Sequence, residues 1–497
     1  MITAVLHTLR SRAPQLATIA VLIILSAGHA FMNNLANGNL VAGFAYPVLV
    51  AVIVVTVLRP DAGFFILLGT VLLLDHFGWV GELTNSFGYF VNLNVNPLFQ
   101  IGASVSPFEL HIALVLLAWI VTMVSRRENR VVPLMNGWAA LTALGWILLV
   151  AGLSLATGGD VFVVLWEVRG LLYLFLFFFF APQMLRTKRQ LEIFFWVVIG
   201  TQAVKALQGF MRFAGGGFSF AVRDSYMTTE DTVLVISLVA FFVTHRIFCE
   251  NSIQRKVLRA SLPLIIVAWF GANRRSTYVS LMVSMMALLF FVTPERRRTI
   301  FKATSIGVVL FAIYLGVFWN ASGTLGLPAQ QIKSIIFPDD PTMMSARNYS
   351  SNLARRIENY NVSYTIRIYP IAGMGFGKPF FRPLHGFDAF GLSEYIPHNA
   401  MLWFFMRTGI IGGMLLLFFF YSHLVRAGRM IGELRDPYLR VMGAMSLLTV
   451  LTTLVVCHVE MHFHIYRNMI MLGTWMGILS VLPSADEDVA HEATTQA

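Results

Sequence analysis

The chain has 497 residues, of which 57% are hydrophobic and only 12% charged, with a mean hydropathy of +0.71. Soluble domains carry about 25% charged residues, so this balance excludes a water-soluble enzyme and points to a polytopic membrane protein. The net charge of +11 does not mark a nucleic-acid surface, because the basic residues lie in short clusters between apolar runs and act as topology signals.

A bilayer span needs roughly 20 apolar residues. Runs near 14–30, 39–58, 61–78, 107–125, 132–156, 162–184 and 191–211 meet or approach that length, as do runs near 231–247, 260–272, 277–293, 303–320, 397–424, 441–459 and 465–482. They predict an all-α fold of about 12–14 transmembrane helices. Arg10 and Arg12 precede the first run, but no small-residue cleavage site follows it, so it reads as a span rather than a signal peptide. The chain divides into N-terminal spans (1–229), spans with an arginine pair (230–320), a long loop (321–396), C-terminal spans (397–482) and a short acidic tail (483–497). The tail is expected to be disordered.

The connections alternate in charge. Arg59, Arg126-Arg127, Arg186 to Arg189, Arg255 to Arg259, Arg296 to Arg298 and Arg426 to Arg440 mark one side, whereas loops 31–38, 79–106 and 157–161 hold no lysine or arginine. The positive-inside rule then places both termini in the cytoplasm and the long loop outside. Cys249 and Cys457, the only cysteines, fall at opposite faces, so no internal disulfide is expected. Within the loop, Leu353, Ile357, Tyr360, Tyr364 and Ile368 recur at helical spacing, with Arg356, Asn359, Ser363 and Arg367 on another face. This predicts an amphipathic helix over 350–369, ended by Pro370 and followed by Gly373-Met-Gly375-Phe-Gly377.

Several polar residues sit where lipid would not tolerate them. Asn273-Arg274-Arg275-Ser276 puts paired guanidiniums on the outer side against the positive-inside rule, and such a pair suits an anion such as diphosphate; a miscounted span is the alternative. Glu167 and Arg169 lie inside the sixth run, two residues apart and so on different helix sides. At least one must face a site or another helix. Arg212, Arg223-Asp224 and Glu230-Asp231 either line the same cavity or belong to an ordinary solvated loop. His458, Glu460, His462 and His464 offer either a metal site or interfacial histidines that bond helix ends. Pro397-His398-Asn399 opens a run that also holds Arg407, Gly409 and Gly412. The glycines read as close-packing positions, and Arg407 is too deep to share a contact with His398. No nucleotide-binding loop or dinucleotide fingerprint is present, so any chemistry belongs at the outer membrane face.

In chain order these pieces resemble the O-antigen ligase and polymerase superfamily of bacterial envelope enzymes. Asn273-Arg274-Arg275-Ser276 opening an apolar helix is similar to one family motif. Arg355/Arg356 followed by Pro370-Ile-Ala-Gly373-Met-Gly375-Phe-Gly377 is similar to a second, and His398-Asn399-x-x-Leu402 to Gly409-x-x-Gly412 to a third. The resemblance covers roughly residues 230–425. It implies a GT-C-type membrane fold and cofactor-free, metal-independent glycosyl transfer at the periplasmic face of the inner membrane. The implied donor is a polyprenyl-diphosphate-linked oligosaccharide and the acceptor a glycan or lipid A-core sugar; a chain-length regulator is an implied partner beside the lipid bilayer. His398, Arg274 and Arg275 are then the expected catalytic residues, with Arg169, Arg355 and Arg356 on the donor diphosphate. Asn399 and Arg223 serve the acceptor or the structure. The resemblance transfers no role to Arg407. The span count leans toward polymerase or exopolysaccharide chemistry. A transporter or flippase of lipid-linked sugars is the competing class, but it predicts internal repeats and midplane charges that the sequence does not offer.

Overall fold

The computed structural model describes residues 40–74, 89–90, 105–126, 131–218, 226–249, 252–272, 274–291, 294–321, 323, 326–338, 340, 342–343, 346–385 and 392–496. The first apolar run, 14–30, and Arg223 lie outside them. All regular structure among the described residues is helical, and the chain separates into two compact units, Met1–Arg130 and Val131–Ala497.

In the first unit, α1 (Leu40–Leu58), α2 (Pro60–Leu73) and α3 (Pro107–Arg126) pack on one another. Pro60 opens α2 at a position where a missing N–H costs nothing. The Tyr89 hydroxyl meets Thr70 (3.2 Å) and His111 Nδ1 (2.8 Å), joining α2 to α3 through polar groups.

The second unit contains α4 (Gly137–Ala156), α5 (Val161–Met184), α6 (Lys188–Gly215), α7 (Thr229–Phe248), α8 (Ile253–Gly271), α9 (Arg275–Leu288) and α10 (Pro294–Phe318). After these come α11 (Leu327–Ile336), α12 (Ala346–Ile368), α13 (Ala400–Glu433), α14 (Pro437–Cys457), α15 (Tyr466–Ile478) and α16 (Leu482–Gln496). The starts follow local chemistry: Asp160, Thr187, Thr228, Ser252, Asn399 and Asp436 each accept a backbone N–H from the turn that follows. Among the described residues, seven helices are long and apolar enough to cross a bilayer, or eight if α15 and α16, which meet at 49°, count as one bent span. Shorter apolar helices such as Pro60–Leu73 and Arg275–Phe291 coincide with further runs. The chain is a multi-pass membrane protein.

The centre of this unit is α15, in which every residue from Tyr466 to Ile478 is buried. It lies along α5, and glycines permit the approach: a Cβ at Gly473 would strike the Leu174 carbonyl, and one at Gly477 the Phe178 carbonyl. Small residues four apart are what closely packed membrane helices use. Arg467 enters the same core, 2.7 Å from Asp231 and 3.4 Å from Glu230, with Lys205 3.6 Å from Asp231. Glu230 and Asp231 are therefore not in a solvated loop. They sit in the buried first turn of α7, where the helix brings them to a cation they must neutralise.

Helix α13 is broken. At Gly409 the backbone turns to φ 65°, ψ −171°, outside helical values. The loop after α12 fills the break: Ile410 N–H donates to the Pro370 carbonyl (2.8 Å), Met374 N–H to that of Met406 (2.9 Å) and Gly375 N–H to that of Arg407 (3.1 Å). Irregular backbone at membrane depth persists only when its polar groups are met in this way. Gly409 is thus a break with positive φ, not a simple packing position. Gly412 does serve packing, against Thr408 and Trp146. Gly409→Ala adds a Cβ that collides with the Ile371 carbonyl at an unfavourable φ. We expect it to destabilise the protein by about 1–3 kcal/mol, read as a lowered melting temperature in detergent. Gly432→Ala, in the same helix with open space around it, should melt like the parent.

The loop helix α12 forms as its periodicity predicts, but its apolar stripe is not what it buries. Leu353, Tyr360, Tyr364 and Ile368 are exposed, while Asn361, Val362 and Thr365 are buried. Asn361 brackets Leu384 with both ends of its amide (2.8 and 3.0 Å), and Thr365 accepts the Phe381 N–H (3.1 Å). Asn361 and Thr365, on a third face, therefore hold the segment leading to residue 398. The acidic tail is also more ordered than its composition suggests. It forms α16, because Asp486 accepts the Arg435 and Asp436 N–H groups (3.0 and 2.7 Å) and Ala485 is buried.

Candidate active site

Arg274 and Arg275 stand at the entry to α9. Thr277 Oγ1 donates to the Arg274 carbonyl (2.7 Å) and accepts from Trp269 Nε1 (3.0 Å), which fixes this turn. From there the two side chains diverge. Arg275 donates to Asn352 Oδ1 (2.9 Å) and the Ser334 carbonyl (3.5 Å), tying α9 to α11 and α12. Arg274 reaches Glu460 Oε1 at 3.7 Å, and Arg355 of α12 reaches the same oxygen at 3.0 Å. Guanidiniums from distant segments thus converge on one carboxylate. Burial alone would raise the Glu460 carboxyl pKa, but Arg355 and Arg274 outweigh it and hold the group below the usual range. Arg274 Nε is buried without a hydrogen-bond partner.

His398 lies on the adjoining wall. Its N–H donates to Glu358 Oε2 (2.8 Å), and its Nδ1 is 3.2 Å from both Glu358 oxygens. A carboxylate there assigns the hydrogen to Nδ1 and leaves Nε2 as the acceptor nitrogen of the ring. Arg355, Glu358 and His398 line one cleft of about 230 Å³ together with Ser351, Asn361 and Arg382. Asn399 caps α13 through the Leu402 N–H (3.0 Å).

The other expected site residues are elsewhere engaged. Arg356, about 100° around α12 from Arg355, donates to the Pro338 carbonyl (3.3 Å). Arg169 lies over the Tyr466 ring, 5.9 Å from its centroid. Among the described residues no three His, Cys, Asp or Glu side chains gather as metal ligands. His458 is exposed at the end of α14, His462 bonds Asn468 (2.6 Å), and His464 lies between Trp166 and Trp403 (5.6 and 4.1 Å between ring centroids). Burial lowers the His462 pKa to about 4 and that of His464 to about 3, leaving both neutral.

Arg407, unexplained by the sequence, is the fastener behind the site. It is 2.7 Å from Glu167, both fully buried, and donates to the carbonyls of Gly375 (2.9 Å), Lys378 (2.7 Å) and Tyr395 (2.7 Å). Glu167 in turn accepts from Gly377 N–H (2.6 Å) and Trp403 Nε1 (3.2 Å). The glycine-rich turn and the strand of chain entering His398 are thereby fixed to α5 and α13. Glu358, Glu460 as partner of the arginines, and the Glu167–Arg407 pair all escaped sequence reasoning. The first was within reach, since Arg355 and Glu358 are three apart and share a helix face.

No curated protein matches the chain. Residues 260–417, which include Arg274, Arg275, α12, His398 and Arg407, match the family model described as O-antigen ligase, and over that segment the chain is similar to the O-antigen ligase family.

Proposed function

We propose that this protein is an inner-membrane glycosyltransferase that moves a glycan from a polyprenyl-diphosphate donor to an acceptor sugar hydroxyl on the periplasmic side. The match of residues 260–417 to the O-antigen ligase family model supports ligase- or polymerase-like chemistry in general. The observation that carries the finer reading is the meeting of Arg274 and Arg355 beside a cleft that also holds the Glu358–His398 pair. Charge alternation in the loops supports cytoplasmic termini and an outward-facing cleft.

In the proposed reaction the acceptor oxygen attacks the anomeric carbon. A new C–O bond forms, the bond from that carbon to the phosphate oxygen breaks, and polyprenyl diphosphate leaves with the electron pair. His398 Nε2 takes the acceptor proton, with Glu358 holding the ring. Fixed guanidiniums of Arg274 and Arg355 stabilise the charge that develops on the leaving diphosphate. Arg275 holds α9 against α11 and α12 so that its neighbour is aimed.

The test uses the purified full chain in detergent with a lipid-diphosphate oligosaccharide and candidate acceptors, with and without a chelator. Release of polyprenyl diphosphate coupled to glycan growth is the expected result in both conditions. A ladder of products marks a polymerase and a single transfer marks a ligase. Movement of the lipid-linked sugar across vesicles with no bond made would overturn the reading in favour of a transporter.

A further inference from the structure

The carboxylate between the arginines is the odd member of a site meant for anions. Glu460 stands between α14 and α15, where its N–H donates to the Val456 carbonyl and its carbonyl accepts from His462 N–H (2.9 Å each). This turn fixes the backbone, and the side chain is only 10% exposed. Arg355 and Arg274, by contrast, keep 26% and 35% of their side chains exposed, and Arg355 opens on the cleft of His398. Arg355 thus holds an internal anion on one side and faces the cleft on the other, while the partly exposed Arg274 shares that anion.

We propose that Glu460 is the resident counter-anion of the donor site: it occupies Arg274 and Arg355 when no donor is bound and yields them to a diphosphate. The proposal rests on the donor reading given above. Its chemical logic is competition. A bare pair of guanidiniums would hold any phosphate tightly, including lipid headgroups and the leaving diphosphate. A resident carboxylate weakens every such complex by the cost of its own displacement, so singly charged phosphates are shut out and the product departs. It also spares two neighbouring cations their mutual repulsion between turnovers.

The test is calorimetric titration of the full chain in detergent with inorganic diphosphate and with inorganic phosphate. Glu460→Gln should bind diphosphate about tenfold or more tightly than the parent, and phosphate binding should rise from a much weaker level by a similar factor. In donor turnover the same variant should lower both KM and kcat, because product release slows. A merely structural glutamate predicts the reverse, a raised KM and weaker anion binding, and that outcome, or unchanged affinity, overturns the proposal. If Glu460→Gln fails to fold, Glu460→Asp draws the carboxylate back by one methylene and should tighten diphosphate to a smaller extent; equal or weaker binding overturns the proposal there too. Should the parent itself not bind diphosphate, the donor reading falls, and this inference with it. A parent that binds while the glutamine variant gains nothing removes only the role of Glu460.

Discussion

Arg407→Met is expected to cost about 3–5 kcal/mol, a large share of a typical folding free energy, because it strands the Glu167 carboxylate in a fully buried position. The loss is larger than one ion pair suggests. The same guanidinium satisfies the carbonyls of Gly375, Lys378 and Tyr395; each would lose that donor, the Gly375 carbonyl in a buried position. Arg407→Lys should recover part of the stability, since an ammonium keeps the charge but cannot serve all these acceptors in their fixed fork. Glu167→Gln combined with Arg407→Met should be less damaging than the sum of the single changes, as expected for residues that share one interaction. The measurement is the yield of monodisperse protein in detergent and its melting temperature. A methionine variant that melts with the parent would show that the pair does not hold the fold.

His398→Ala should lower the rate of glycan transfer by about 10²–10⁴-fold while leaving the protein folded. The side chain is partly exposed and bonds Glu358 at its edge, so its removal opens no fully buried cavity. Glu358→Gln should reduce kcat by a smaller factor, roughly tenfold to a hundredfold, with little change in donor KM, because its effect passes through the orientation of the imidazole. Arg355→Ala should instead raise donor KM and abolish calorimetric binding of inorganic diphosphate. Steady-state kinetics with a lipid-diphosphate oligosaccharide separates these effects. Full activity in His398→Ala would remove the proposed base from the mechanism.

Much of this was legible before any fold was known. Hydropathy marks the helices because lipid demands long apolar runs, and those from 132 onward coincide with α4 to α10 and α13 to α15. The arginine pair at 274–275 and the histidine at 398 stand out because charge and lipid conflict at their positions. Loop-helix periodicity also marks α12 but not the contacts it makes within the protein: Leu353 and Tyr360 are exposed, whereas Asn361 and Thr365 lock the chain behind them. Polar side chains that bind backbone leave no periodic trace. The break at Gly409 was equally hidden, because the chain segment that fills it comes from residues 370–375 and leaves no mark in the local pattern. Partners such as Glu460 and Arg355 lie 105 residues apart, a separation that no local pattern records.

The boundary of the matched segment has a consequence for engineering and for descent. Residues 260–417 carry Arg274, Arg355 and Arg407, yet the carboxylates that balance them, Glu460 and Glu167, lie on either side of it. The recognisable signature is therefore not a transplantable module. A chimera that exchanged only this segment between relatives would carry its cations away from their counter-charges. Functional grafts should move positions 167 and 460 together with it, and drift at those two positions should be constrained by what the signature itself retains.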